Sequence, residues 1–197
     1  MFNDCGVRPI LVTAVLLACS SAGALESPAM DSTSVGVQSE PLKSVPPLSN
    51  PTLAVPDDSQ LVFHYDAVGV QIYTCEASTN GFAWKFQAPE ASLFDRQHHL
   101  VLKHYAGPTW ESIGDHSKVV AKKLAESAHE GAIPELLLQA TSHDGKGSLA
   151  DVDYIQRLGT TGGLAPTGGC DASHVGTTTR VDYTATYTFS RPKPRAK

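Results

Sequence analysis

Several features that would anchor a functional assignment are missing from this 197-residue sequence. No apolar run approaches the roughly 20 residues that a helix needs to cross a bilayer. The longest, Ile10 to Ala18, falls far short, which argues against a membrane-spanning helix. No CxxC or Cys-His spacing suggests zinc, and no HxxxH or HExxH pair could present a metal from one helix face. No GxSxG elbow presents a serine nucleophile. The phosphate-binding loop ending in Gly-Lys-Ser/Thr is absent, as is the GxGxxG of a dinucleotide site. Basic charge is in deficit, with 15 Lys and Arg against 20 Asp and Glu for a net charge of -5. Several of those bases sit in the terminal RPKPRAK, so the rest is clearly acidic and nucleic acid is not the expected partner.

What is present begins with the N-terminus. Arg8, the apolar stretch Ile10 to Ala18 and the small residues Ala22-Gly23-Ala24 have the three-part layout of a secretory signal cleaved before Leu25. Leu16-Leu17-Ala18-Cys19 also resembles a lipobox, so a lipid anchor at Cys19 is the alternative to simple export. Residues 25–56 are rich in Ser and Pro and contain no aromatic side chain. That composition buries too little apolar surface to offset ordering entropy, and reads as a disordered linker whose removal leaves stability unchanged. The expected organisation is a signal peptide over 1–24, a linker over 25–56, one β domain over 57–192 and a basic tail over 193–197.

The exported part keeps two cysteines, Cys75 and Cys170. In an oxidising compartment, secreted or periplasmic, an isolated pair far apart in sequence is expected to be a disulfide.

Within the domain, short segments with alternating apolar and polar residues recur. Leu61 to Tyr65 and Val68 to Cys75 read as a hairpin about Asp66-Ala67. Asn80-Gly81 supplies a turn into a third strand, whose aromatic face Phe82, Trp84 and Phe86 is expected to pack in the core. His99 to Tyr105, Glu135 to Thr141, Ala150 to Leu158 and Arg180 to Ser190 follow, the last with the cleanest period of two. Ser117 to His129 has the alanine, lysine and leucine content of a short helix with Ser117 as its cap. The fold class is therefore mainly β, an antiparallel sandwich or barrel of about seven to nine strands with at most one or two short helices. The Gly-rich run from Gly159 to Cys170 ends in Pro and Cys rather than a phosphate-binding sequence, and reads as a surface loop pinned by the disulfide.

Taken in order, GVQIYTC from Gly69, HYAGPTW from His104, IPELLLQA from Ile133, YIQRLGTTGGLAP from Tyr154, GGCDASH from Gly168 and YTATYTF from Tyr183 resemble domain-of-unknown-function family 3455. That resemblance runs from about Gln60 to Arg191 and implies exported proteins without an assigned activity. Some members carry a malate dehydrogenase label, which these residues do not support. In the family pattern an aromatic usually stands where this chain has Glu135, and Asp-Gly-Ser where it has Asp115-His116-Ser117.

The chemistry-bearing residues concentrate in KHYAGPTWESIGDHSK, Lys103 to Lys118. Gly107-Pro108 imposes a bend that sets His104 and Trp110 on either side of it. His104, Tyr105, Trp110 and Glu111 are the candidate binding residues. No catalytic residue, metal ligand or cofactor is assigned. A metal site would have to draw on His98, His99, His104, Glu111, Asp115 and His116, yet neighbours such as His98 and His99 point to opposite faces of a strand. The expected function is a non-catalytic binding or surface-interaction module for a small molecule or a cell-surface component. The alternative is an extracytoplasmic hydrolase or metal-dependent enzyme using His104 with nearby carboxylates.

Overall fold

The computed structural model describes residues 44–194. The expected signal segment, Cys19, most of the Pro/Ser-rich stretch and the last tail residues lie outside these. Eight antiparallel strands run in chain order around a closed barrel: β1 (Ser59–Ser78), β2 (Gly81–Phe94), β3 (Leu100–Tyr105), β4 (Thr109–Ser112), β5 (Lys118–His129), β6 (Ala132–Asp144), β7 (Tyr154–Gly162) and β8 (Thr178–Pro192). β8 returns to β1, pairing Phe63 with Phe189 and Tyr65 with Tyr187. The mainly β expectation holds as a barrel, and the only helical element described is a 3-10 turn, Pro51–Leu53. No helix among the described residues is long and apolar enough to cross a membrane.

Several local expectations need correction. Leu61 to Tyr65 and Val68 to Cys75 are one strand, not a hairpin, because β8 and β2 pair with it straight through Asp66-Ala67. The segment Ser117 to His129 is β5, not a helix. Its partners β4 and β6 supply a ladder on both sides, and that pairing overrides a helix preference of a few tenths of a kcal/mol per residue. Phe82 and Phe86 are 42% and 52% exposed rather than packed in the core. The Asn80-Gly81 turn does form, with Gly81 at φ 114°.

The inward face is apolar at one end. Leu93, Leu102, Val119, Ile155 and Phe189 fill the lumen there, and Leu149 and Val152 from the β6–β7 connection close it. That connection is held by Asp115, whose carboxylate accepts from the Ser117 and Ser148 amides, while the Ser117 hydroxyl donates to Asp115 and accepts from Leu149 N. These bonds, the Ser117 hydroxyl foremost, hold the Asp115 carboxyl well below the usual range.

Residues 44–56 also depart from expectation, since they dock as a strap on the outside of β6 and β7 instead of forming a disordered linker. Leu53 is fully buried against Leu137 and Leu158, with Val45 and Val55 beside it. Gln156 Nε2 donates to Leu53 O at 2.6 Å, and Gln156 Oε1 accepts from Thr188 Oγ1 at 2.7 Å, so the strap is tied to two strands. Glu135, 2% exposed, accepts from the Ser49 hydroxyl and from Gly159 N. The Pro/Ser composition hides this docking because it rests on one leucine and on main-chain and short polar groups.

Candidate functional site

Antiparallel pairing places His104 directly opposite Trp110, so both side chains leave the same face of the sheet. That face is the lumen: His104 is 3% and Trp110 1% exposed, with rings stacked at 4.2 Å and 11°. Tyr187 meets both rings from β8. Between the two strands Gly107 adopts φ 113°, the bend expected from Gly107-Pro108.

The other two candidates point away. Tyr105 and Glu111 are one residue further along their strands, which by the period-two rule sets them on the outer face, where the Tyr105 hydroxyl donates to Glu111 Oε2 at 2.8 Å. Glu111 also faces Lys118 and His116, each 3.9 Å away. The sheet thus divides the predicted cluster into an inner stacked pair and an outer polar group. His98 and His99 sit in the β2–β3 turn, with His99 Nδ1 3.1 Å from Asp95. Among the described residues no group of three or more His, Cys, Asp or Glu converges as a metal site would require.

His104 Nδ1 lies 2.9 Å from the carbonyl of Thr109, which only accepts, so Nδ1 carries the proton and Nε2 is left as a lone-pair acceptor. Burial pushes the imidazole pKa down to about 3, with the Arg157 cation acting in the same direction and the Thr109 bond against it. His104 is therefore neutral at any ordinary pH.

Above this pair the lumen is hollow. A cavity of about 390 Å³ is bounded by side chains from all eight strands and by the Gly107-Pro108 turn. An eight-stranded barrel leaves room for side chains or for one small ligand, and 390 Å³ falls in the usual range for ligand clefts. Tyr73, Phe86, Ile133, Leu136 and Leu138 give it an apolar wall. Lys123 and Glu126, a half-exposed ion pair, stand at its rim.

Part of its polar lining lies outside the His104 segment. Arg157, 9% exposed, lies on the inward face of β7 two residues beyond Ile155, and donates through Nε and Nη2 to Pro134 O at 3.2 and 2.8 Å. Pro134 has no N–H to add to the ladder, and β6 is irregular there in its pairing with β7. Gln71 is 3% exposed, and neither its Nε2 nor Trp110 Nε1 has a hydrogen-bond partner among the described residues. Two buried donors left unpaired in one cavity are unusual, since such groups cost about 1 to 3 kcal/mol each. The sequence signal was available: in YIQRLG an arginine shares a strand face with an isoleucine, and in VGVQIYTC Gln71 shares one with Tyr73 and Cys75.

The disulfide forms as expected, with Cys75 and Cys170 5.4 Å apart at Cα. It pins the β7–β8 loop beside the cavity. Tyr73 donates its hydroxyl to Gly163 O at 2.6 Å, and Trp84 Nε1 donates to Gly168 O at 2.8 Å. Gly163 itself has φ 79°, and a Cβ there would come within 2.9 Å of Ile133 and Tyr183, so glycine lets the loop lie against the lumen wall. Further along, Asp171, Ser173 and His174 cluster on the surface, but His174 presents the same nitrogen, Nδ1, to both Asp171 and Ser173. A relay needs both ring nitrogens, one toward each partner, so this is a turn network.

A family model described as "Protein of unknown function (DUF3455)" matches residues 56–191. Neither the curated proteins nor the solved structures contain a match to this chain.

Proposed function

Because this chain belongs to the DUF3455 family, whose description names no activity, we propose from the geometry of its lumen that it is an exported, non-catalytic binding module for a small molecule. One observation carries the reading: the mouth-side cavity combines an apolar wall with buried donors, Gln71 Nε2 and Trp110 Nε1, that have no partner among the described residues. A few polar groups set in an apolar hollow are what small-molecule recognition uses. Export is supported by the signal-like N-terminus and by a Cys75–Cys170 bridge, which suits an oxidising compartment.

The hydrolase or metal-dependent reading draws less support. The Nδ1 proton of His104 is directed at a backbone carbonyl rather than at an orienting carboxylate. The described cavity wall includes no serine, threonine or cysteine to act as nucleophile.

Native mass spectrometry of the exported chain, taken from the periplasm or medium of the producing cell, tests the proposal. The expected result is an added small-molecule mass that is released on unfolding and is absent from Leu136→Trp, which fills the cavity. An unliganded spectrum, together with no stabilisation by any member of a small-molecule panel, overturns it.

A further inference from the structure

Arg157 is the charge in this cavity that the protein does not balance. Its guanidinium bonds to the Pro134 carbonyl and acts on the Tyr187 phenol nearby, both neutral groups. No carboxylate forms an ion pair with it among the described residues. The neighbouring rings cannot compensate. Burial raises the pKa of the Tyr73, Tyr183 and Tyr187 phenols, which keeps them protonated, and His104 is neutral. Glu126, the one carboxylate on the cavity wall, is paired with Lys123 at the half-exposed rim. A buried cation without a counter-charge is costly, and a ligand anion is the ready way to offset it.

Resting on the binding reading above, we propose that the lumen recognises a monoanionic carboxylate on an apolar or aromatic body. Arg157 supplies the counter-charge, and Gln71 Nε2 and Trp110 Nε1 supply neutral donors. Each of the three is at least nine-tenths buried and lines the same cavity. A planar guanidinium suits a planar carboxylate, whose further lone pairs accept from an amide and an indole N–H. One cation matches one negative charge, whereas a phosphate monoester, at about -1.5 to -2 near neutrality, would leave charge unbalanced. Tyr73, Phe86, Leu136 and Leu138 face the remainder of the ligand.

Calorimetric titration of the full exported chain with three probes that share a naphthalene body reads this out: the carboxylate, its neutral carboxamide and the phosphate monoester. The carboxylate is expected to bind about tenfold or more tighter than the carboxamide. Arg157→Met should erase that difference while carboxamide binding persists, and Leu136→Trp should abolish both. If Arg157→Met does not fold, Gln71→Leu and Trp110→Phe each remove one donor and should each narrow the gap severalfold. Equal binding of carboxylate and carboxamide by the unaltered protein overturns the anion assignment but leaves a lumen binding site standing. A preference that survives Arg157→Met overturns the role of that residue, and tighter binding of the phosphate overturns the single-charge argument. Failure of every probe to bind at millimolar concentration overturns the ligand class, and the native mass spectrum then decides the binding reading on its own.

Discussion

The two ends of the lumen are enclosed by the same eight strands, yet one is solid and the other hollow. At the solid end Phe63, Tyr65 and Phe189 pack ring to ring, and Trp110 meets Phe189 edge-on at 6.2 Å. At the hollow end the inward positions change character within two residues along three of the strands: Leu102 gives way to His104 on β3, Ile155 to Arg157 on β7, and Phe189 to Tyr187 on β8. Trp110 sits at the boundary, stacked on His104 toward the hollow end and against Phe189 toward the solid one. Barrel diameter therefore does not decide whether such a lumen is core or cavity. The inward residues do, and here they pack one end solid and leave the other hollow.

The sharpest test of that division is a pair of truncations. Phe189→Ala, at a site with no exposure, should cost about 3 to 5 kcal/mol in urea unfolding. Phe86→Ala, at the rim, should cost less than about 1 kcal/mol. Comparable losses would mean that the mouth is packed core after all.

Next comes the strap outside the barrel. Leu53→Ala should cost about 2 to 4 kcal/mol if residues 44–56 belong to the folded unit, and the unfolding midpoint reads it directly. No change would restore the linker reading.

The hollow end also predicts a pH dependence. An unfolded chain binds a proton at His104 below about pH 6.5, while in the folded protein this histidine stays neutral until about pH 3. The unfolded state thus binds more protons between these values, and stability falls as pH falls. From pH 6.5 to 4.5 the loss should be about 2 to 3 kcal/mol, measured by denaturant midpoints. His104→Phe should flatten that slope, and an unchanged slope would remove His104 as its source. Asp115, whose folded pKa is depressed, loses its contribution only in more acid solution, outside this window.

The smallest expected effect lies away from both ends. His116 has φ 58° in the β4–β5 connection, a backbone conformation that favours glycine. His116→Gly should stabilise by about 0.5 to 1 kcal/mol, relief of strain outweighing the added freedom of the unfolded chain. A loss would show that the histidine side chain makes contacts that matter.

Much of the barrel is legible in the sequence because strand periodicity records which face is buried. The alternation of β8 marks Val181, Tyr183, Ala185, Tyr187 and Phe189 as one face, and all but Val181, which is half-buried near the strand's start, are buried. The bend at Gly107-Pro108 likewise brings His104 and Trp110 opposite each other. What stayed hidden depends on partners far along the chain. β5 reads as helix because Ala, Lys and Leu carry that local preference, and only β4 and β6 overrule it. The four candidate residues in the His104 segment are adjacent in sequence, which conceals that a sheet separates Tyr105 and Glu111 from the lumen pair. Arg157 and Gln71 do not stand out in the sequence because an isolated arginine or glutamine normally marks a solvated face. Only ring closure turns those positions inward.

That closure carries a consequence for how the chain acquires its shape. The first strand finds its last neighbour at the far end of the sequence, Ser59 beside Pro192 and Thr74 beside Thr178. A chain that emerges N-terminus first must hold one border of β1 unpaired until β8 follows, with Cys75 waiting for Cys170. Contacts so distant in sequence make folding slow, and an open strand border invites pairing with other chains. Completion is then a single late event in which the last strand seals the ring, the disulfide partners meet and the hollow end acquires its eighth wall.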